Sequence, residues 1–191
     1  IAVIGNAQSL FDYEYGNIID NHDLVIRINL GFLVNSPATH GLKTDWVIFN
    51  NYNFLKKNSN IFSEDCKFNL LEIYNLNFIY NNETYREDNF CRLSRPIPSE
   101  CLKKFQFTNN KKPSTGLCIV YMLSLLKTKQ VSIFGFDFKR SITWYNKNRK
   151  AKKEQRQNQN DWEKEEEVLN WLCNKNKFKL YKMEILNDIS K

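Results

Sequence analysis

The sequence predicts an α/β fold, in which a single Rossmann-like domain holds a mostly parallel sheet with helices on both faces. Three short, mainly apolar runs support this, at residues 1–4, 24–28 and 46–49, because such runs favour buried parallel strands. The first two lie at the spacing of a strand–crossover–strand unit. Residues 117–126 add an almost wholly apolar helix, which is typical of a helix buried against a sheet.

An asparagine closes each of the first two strands. Asn6 follows the first run through Gly5, and Asn29 follows the second run directly. Ligands of open α/β sheets bind beyond the carboxyl ends of the strands, and an amide side chain both donates and accepts hydrogen bonds. We therefore predict a nucleotide site built by these two strand ends. Taken alone, Gly5 and Asn6 are more simply explained as a strand-end turn, since Ala7 breaks the GxGxxG pattern.

The third strand, at residues 46–49, is closed by Asn50. Residues 51–110 then mix polar and aromatic runs and contain Pro96 and Pro98. We interpret them as a variable insert of loops around one strand. This insert is expected to face the acceptor, because loops on a rigid sheet carry specificity.

A turn of Pro113, Ser114, Thr115 and Gly116 precedes the apolar helix. Ser or Thr at such a position caps the free backbone N–H groups of the first turn. The same N–H groups and the helix dipole also attract anions, so simple capping and phosphate binding are compatible explanations. The pattern predicts a buried helix whose N-terminus is open to a ligand.

The end of the chain continues the α/β pattern. A strand is predicted at residues 131–134 and leads to Gly135 and Asp137, and a last strand is predicted at residues 178–181. An amphipathic helix is predicted at residues 161–174. Its apolar face would carry Trp162, Val168, Leu169, Trp171 and Leu172. We expect residues 1–191 to form one domain.

Residues 139–159 are basic and polar, without apolar periodicity after Tyr145. This composition predicts a mobile, solvated loop. The functional alternative is a lid that closes over a phosphorylated donor with Trp144, Tyr145 and Arg149.

The composition is ordinary for a soluble globular protein, with 42% hydrophobic and 26% charged residues in 191. No apolar run reaches the roughly 20 residues of a membrane span. The chain begins at Ile1 inside a strand, so we expect trimmed ends. A net charge of +7 favours an anionic partner without choosing among nucleotide sugars, anionic glycolipids, membrane surfaces and nucleic acid. Nucleic acid has the least support, because the basic residues cluster in one loop without a recognised binding module.

Five cysteines, odd in number and without CxxC spacing, and only two histidines argue against a zinc site. Reduced thiols in a cytosol are the simplest expectation. His22, just before a strand, suits a structural turn. His40 lies in a loop and suits either a structural or a functional role.

Four segments, in this order, resemble the motifs of the sialyltransferases of glycosyltransferase family 29. Residues 1–45 resemble the long sialyl motif through the runs VIGN, YGNIIDNHD, RIN and GLKT. Residues 113–136 resemble the short motif, residues 143–146 the third motif, and residues 160–165 the very short motif. Residues 51–110 lie outside the resemblance.

The resemblance implies an inverting, metal-independent transferase with a GT-A-like sialyltransferase fold. Its donor would be a CMP-activated acidic sugar, either sialic acid or Kdo, and its acceptor a glycan or glycolipid. A tyrosine matching Tyr145 touches the phosphate in that family. The implied nucleotide-binding residues are Asn6, Asn29, Ser114, Thr115, Gly116 and Tyr145, joined by Asn50 and Asp137 through likeness to some bacterial sialyltransferases of a related fold.

Two departures from the family accompany the resemblance. Asn160 stands where the family places its histidine base, and an amide cannot take up a proton near neutral pH. The explanations are a variant inactivated by design, a natural pseudoenzyme, or a base supplied elsewhere, for which His40 is the candidate. The animal enzymes also carry a disulfide at positions that correspond to Ile1 and Thr128, and its absence fits a reducing bacterial cytosol.

The leading hypothesis is a bacterial transferase that moves sialic acid or Kdo from CMP to a cell-surface glycan, such as a lipooligosaccharide or capsule chain. We expect it in the cytoplasm, with its basic loop near the inner face of the membrane. A catalytically silent CMP-sugar-binding or scaffold protein is the alternative that Asn160 suggests. A basic nucleic-acid-binding domain is a weaker third hypothesis.

Overall fold

The computed structural model describes residues 1–49, 69–72, 90–92, 97–107, 111–128, 130–138, 140–146 and 160–181. The strands are β1 (Ala2–Ile4), β2 (Val25–Ile28), β3 (Trp46–Phe49), β4 (Asn69–Glu72), β5 (Phe90–Arg92), β6 (Ser132–Phe134) and β7 (Lys179–Leu180). The α-helices are α1 (Gly16–Asp20), α2 (Pro37–His40), α3 (Ile97–Phe105), α4 (Thr115–Leu125) and α5 (Trp162–Asn176), with 3-10 helices at Gln8–Asp12, Asn29–Leu33 and Trp144–Asn146.

These strands form one sheet in the order β5-β4-β3-β2-β1-β6-β7, and every neighbouring pair is parallel. The chain builds the sheet outward from β1 to β5, then returns to the other side of β1 for β6 and β7. The strand order therefore reverses between β1 and β6. In open α/β sheets the ligand crevice lies at this reversal, beyond the carboxyl ends of the strands.

Alternate residues of β1 and β6 pack on opposite faces of the sheet, as the two-residue period of a strand requires. Val3 and Ile133 belong to the larger core, which α4 and α5 cover with Leu117, Ile119, Val120, Val168, Leu169 and Leu172. Ala2, Ile4 and Phe134 belong to a smaller core on the other face, closed by Leu10 and Ile19. This arrangement confirms the predicted α/β fold with helices on both faces.

Helix α5 begins at its N-cap Asp161, whose carboxylate accepts a hydrogen bond of 3.0 Å from the Lys164 backbone N–H. It runs two residues further than predicted and stops where Lys177 adopts a left-handed conformation. Trp171, predicted to share its apolar face, is 43% exposed and packs edge-on against Phe105 of α3.

The prediction of one strand within residues 51–110 is wrong, because the described parts of this region contain β4, β5 and α3. The strand sequences NLLE and FCR are short and partly polar, and they become strands by pairing in succession, β4 with β3 and β5 with β4. Pro98 lies in the first turn of α3, where proline is tolerated. The remainder of residues 51–110, and most of the predicted loop at 139–159, fall outside the described residues.

A buried arginine orders the loop that follows α2. Arg27 lies on β2 and is 1% exposed. Its Nε donates to the Lys43 carbonyl at 3.1 Å and to the Thr44 hydroxyl at 2.9 Å, while its Nη2 donates to the carbonyls of His40 at 2.8 Å and Gly41 at 3.2 Å. Burial lowers the pKa of Arg27 to about 10, and the charge of Asp20 opposes this shift, so the guanidinium stays charged at neutral pH.

Replacing Arg27 by methionine should lower the free energy of unfolding by about 3 kcal/mol, because several backbone carbonyls would lose their donor. Urea denaturation measures the change. Arg140→Met is the matched control: Arg140 pairs with Glu166 at 2.6 Å on the exposed surface, so its loss should amount to less than about 1 kcal/mol. Equal losses in both variants would contradict the role assigned to Arg27.

Candidate functional site

The ends of β1 and β6 approach each other through two glycines. A side-chain carbon on Gly5 would overlap the carbonyl group of Gly135, and one on Gly135 would lie 2.8 Å from the carbonyl oxygen of Gly5. Gly135 also has a φ of +70°, which favours glycine. The Gly5 N–H donates to the Phe134 carbonyl at 2.7 Å and closes the contact. The two strand ends therefore meet at the reversal of strand order.

Asn6 links this point to the end of β2. Its Nδ2 donates to the Ile28 carbonyl at 2.8 Å, which fixes the orientation of the amide. Its Oδ1 is buried and has no hydrogen-bond partner among the described residues. Gly31 lies against that oxygen, since a side-chain carbon there would be 2.5 Å away. Asn6 thus places a hydrogen-bond acceptor at the carboxyl edge of the sheet, and nucleotide binding by Asn6 stays a prediction.

Asn29 begins the 3-10 helix that follows β2. Its φ of +51° lies in the left-handed region, which asparagine tolerates better than most residues. This turn brings Gly31 back against Asn6. The backbone alone thus gives a reason for an asparagine here, and nucleotide binding by Asn29 stays a prediction.

A short antiparallel pairing joins residues 6–8 to residues 142–144. The Trp144 N–H donates to the Asn6 carbonyl at 3.2 Å, and the Gln8 N–H donates to the Ile142 carbonyl at 2.8 Å. This pairing brings the backbones of Asn6, Gln8 and Trp144 together beyond the end of β1. Like Asn6 Oδ1, the buried atoms Gln8 Oε1 and Trp144 Nε1 have no partner among the described residues.

Two amide oxygens and one indole N–H, carried by residues of this short pairing, suit a ligand that has both hydroxyl or amine donors and an oxygen acceptor. Buried polar atoms are normally paired, so this group points to a bound molecule. Sequence reasoning did not identify Gln8 as a site residue, because it follows a turn and belongs to no apolar pattern. Its position two residues after Asn6 was the signal that could have identified it.

The N-terminus of α4 lies at the same crevice. Ser114 is its N-cap, with Oγ accepting the Leu117 N–H at 3.2 Å. Gly116 packs against the Phe136 ring beyond β6: a side-chain carbon would come within 2.5 Å of that ring and 3.5 Å of Ile28. The structure therefore brings the Ser114–Gly116 turn to the ends of β2 and β6, and the predicted helix with its cap is confirmed.

A buried carboxylate supports this turn from α5. Glu165 is 3% exposed, and its Oε1 accepts the Ser114 N–H while its Oε2 accepts the Ser114 hydroxyl, each at 2.6 Å. Asn160 Nδ2 donates to Oε1 at 3.3 Å and to the Lys112 carbonyl at 2.6 Å. Asn160 therefore acts as a donor that ties two segments together.

Burial raises the pKa of Glu165 to about 7. The hydrogen bonds from Ser114 and Asn160 oppose this rise, and the charge of Asp161 adds to it. Sequence reasoning missed Glu165, which stands in an acidic run at the start of a helix. The signal was its spacing, since Glu165, Leu169 and Leu172 fall on one helical face.

Three predicted site residues remain, namely Asp137, Tyr145 and Asn50, and the structure describes the first two. Asp137 is buried and accepts the Ser9 hydroxyl at 3.0 Å and the Ser141 N–H at 2.8 Å, so it anchors the turn after β6. Tyr145 is half-buried, with its ring edge-on to Trp144 at 5.2 Å. Asn50 lies outside the described residues.

The two histidines have structural surroundings. His22 Nδ1 donates to the Ile18 carbonyl at 2.8 Å, and its Nε2 lies 2.9 Å from the Ser132 hydroxyl, which confirms a structural turn residue. His40 is 1% exposed, with its ring 4.3 Å from that of Phe11. Burial, together with the nearby charge of Arg27, lowers its pKa to about 4. A buried imidazole of such low basicity is unsuited to deprotonate an acceptor hydroxyl. The expectation that His40 could replace the family's histidine base is therefore not supported.

Cys101, Cys118 and Cys173 are buried and free, as expected of reduced thiols. A hydrogen bond with Cys101 and burial raise the pKa of Cys118 well above its ordinary value, so this thiol stays protonated. Across the described residues, no group of three or more His, Cys, Asp and Glu side chains is arranged to hold a metal ion. None of the described helices is long and apolar enough to span a membrane.

Comparison with known proteins gives one family match and several similar structures. Residues 2–77 match the model of glycosyltransferase family 29 (sialyltransferase). A mammalian sialyltransferase is similar with a TM-score of 0.64 and 19% identity, over 95% of this chain and 68% of that chain.

Two bacterial structures are similar as well. An α-2,3-sialyltransferase from Campylobacter jejuni has a TM-score of 0.59 and 21% identity, over 95% of this chain and 74% of that chain. The sialyltransferase CstII from Campylobacter jejuni, in complex with the substrate analogue cytidine-5'-monophosphate, has a TM-score of 0.61 and 18% identity, over 95% and 78%. These likenesses confirm the predicted fold.

Glu165 and His40 should change the free energy of unfolding in opposite directions as the pH rises: Glu165 should lower it and His40 should raise it. The folded pKa of Glu165 lies above its unfolded value of 4.5, so its contribution is complete below pH 4.5 and is lost as the pH rises through about 7, by about 3 kcal/mol. The folded pKa of His40 lies below 6.5, so its contribution is complete above pH 6.5 and is lost as the pH falls through about 4.

The two slopes therefore oppose each other between about pH 4.5 and 6.5, and Glu165→Gln should expose the rise with pH that His40 causes. The same variant should abolish the decline toward neutral pH. Urea unfolding from pH 4.5 to 8 measures both effects, with the exposed Glu163→Gln as the control. An unchanged profile in Glu165→Gln would contradict the raised pKa.

Proposed function

We propose that this chain, a glycosyltransferase of family 29 by the match of residues 2–77, transfers a 2-keto acid sugar from its CMP form to a glycan acceptor. The sugar would be sialic acid or Kdo. Both donors carry a carboxylate and a cytidylyl phosphate, so the same crevice suits either. The family match covers Asn6 and Asn29 and favours sialic acid.

One observation carries the proposal: the N-terminus of α4 and the unpaired acceptor of Asn6 lie together where the strand order reverses. Backbone N–H groups at a helix N-terminus bind phosphate, which suits the cytidylyl phosphate of the donor. Asn6 and Gln8 would accept hydrogen bonds from amine or hydroxyl groups, and Trp144 would donate to an oxygen. A similar Campylobacter structure is described in complex with a trisaccharide acceptor and CMP.

The proposed reaction is a single displacement without a metal. The acceptor hydroxyl oxygen attacks the anomeric carbon from the side opposite the phosphate, and that carbon is inverted. The bond from the anomeric carbon to the phosphate oxygen breaks, and its electron pair leaves with CMP. The backbone N–H groups of Thr115 and Gly116, in the first turn of α4, would stabilise the charge that grows on this phosphate. The acceptor proton passes to a base or to solvent.

The acceptor is proposed to be a cell-surface glycan or glycolipid, such as a lipooligosaccharide or capsule chain. A net charge of +7 would attract the protein to an anionic surface. We therefore propose that it is cytoplasmic and lies near the inner face of the membrane.

A silent CMP-sugar-binding or scaffold protein is the second candidate, and Asn160 is the observation that favours it. Its amide donates to the Lys112 carbonyl and to Glu165, and it has no basic nitrogen to take a proton. Such a protein would bind CMP sugars without turnover.

Asn160→His should raise transfer by about 10²–10⁴-fold, because a positioned imidazole can act as a general base. The assay offers CMP-sialic acid and CMP-Kdo separately, with a panel of glycan acceptors. A gain on one donor would identify the sugar and the base position. Equal activity in both proteins would place the base elsewhere. Silence in both, with CMP still bound, would support the binding protein.

Gln8→Met should weaken CMP-sugar binding by about tenfold and leave the fold intact or slightly more stable. The reason is that an acceptor without a protein partner destabilises the empty site but binds the ligand. Calorimetry measures the affinity, and thermal unfolding measures the stability. Asn17→Ala, an exposed amide on α1, is the control and should change neither. A loss of stability with unchanged affinity would contradict the role of Gln8.

A further inference from the structure

The Ser114 hydroxyl is the one group of the N-cap whose hydrogen can point in two directions. Its oxygen already accepts the Leu117 N–H at 3.2 Å. With Glu165 ionised, its single hydrogen is directed to Glu165 Oε2 at 2.6 Å. The hydroxyl then has no hydrogen left for a ligand at the N-terminus of α4.

We propose that Glu165 is a positioning residue that decides whether the Ser114 hydroxyl donates to the donor phosphate. When the carboxylate takes up one proton from solvent, its new O–H donates to Ser114 Oγ. Ser114 then accepts from both Glu165 and Leu117, and its own hydrogen turns toward the phosphate. The inference rests on the proposed function, in that it places the cytidylyl phosphate at this helix N-terminus.

The geometry allows both states without moving the chain. Oε1 keeps the Ser114 N–H at 2.6 Å and the Asn160 amide at 3.3 Å in either state. Only the hydrogen bond between Oε2 and Ser114 Oγ reverses its direction, because Oε2 gains a proton and donates it. A hydroxyl can both donate and accept, so Ser114 suits either state. The Glu165 carboxyl accepts when it is ionised and can donate when it is protonated.

The surroundings of Glu165 make the proton uptake accessible near neutral pH. Burial raises its pKa to about 7, and the negative charge of Asp161 acts in the same direction. The Cys118 thiol, which also faces Glu165 and shares a hydrogen bond with Cys101, stays protonated because its pKa is raised. Asn160 is neutral. A bound phosphate adds a negative charge and raises the pKa of Glu165 further, so binding and proton uptake favour each other.

The test uses the methyl ester of CMP, whose phosphate keeps one negative charge throughout the neutral range. Titration calorimetry at pH 8 in buffers of different ionisation enthalpy counts the protons taken up on binding. We expect close to one proton for the unaltered chain. Its affinity should be constant below about pH 7 and fall by up to tenfold for each pH unit above it.

Glu165→Gln should take up no proton and should bind the ester at pH 9 as tightly as the unaltered chain does at pH 6. The glutamine amide imitates the protonated carboxyl, with its oxygen on the Ser114 N–H and its NH₂ donating to Ser114 Oγ. Glu163→Gln, on the exposed side of the same helix, is the matched control and should behave as the unaltered chain.

Binding without proton uptake by the unaltered chain would overturn this inference and leave the CMP site in place. Equal uptake by the unaltered chain and Glu165→Gln would also overturn it, since another group would then be titrating. If the ester binds at no pH, both the proposed function and this inference fail. Because the first count is made on the unaltered chain, the result does not depend on the folding of any variant.

Discussion

The close approach of β1 and β6 is the constraint on which the rest of the structure depends. Gly5 and Gly135 bring their backbones together where these strands end, at a separation that no larger residue allows. The same contact marks the reversal of strand order, so it also locates the crevice. The residue that follows each glycine contacts a neighbouring element. Asn6 donates a hydrogen bond to the end of β2, and Phe136 packs against Gly116 at the start of α4.

Buried polar groups connect the segments around this crevice. Arg27 binds the carbonyls of the loop after α2, Glu165 binds the cap of α4, and Asp137 binds Ser9 and Ser141. Each group loses water on burial and is compensated by donors or acceptors of neighbouring segments. For Glu165 the compensation is incomplete, which is why its pKa rises. A site supported by Glu165 is therefore sensitive to pH near neutrality.

The predicted elements are those whose signal is local. The strands β1, β2, β3 and β6 are apolar runs, and α4 and α5 begin at Ser114 and Asp161, which cap them. The strands β4 and β5 carry no such signal. β4 forms because β3 offers it backbone partners, and β5 forms because β4 does, so both strands depend on the sheet rather than on their own residues. The helix that holds Pro98 was also interpreted as a loop, because proline is typical of turns and loops.

The sequence by itself determined where β1, β2, β3, β6, α4 and α5 lie, and that polar residues such as Asn6, Asn29 and Ser114 stand at their ends. It could do so because apolar periodicity and caps act within a few residues of chain. Only the tertiary structure decided which of these ends meet, and that Glu165 lies under the cap while its acidic neighbours face water. Burial, and with it the pKa and the partners of a charged group, depends on how α5 packs against α4, and that packing joins segments about 50 residues apart.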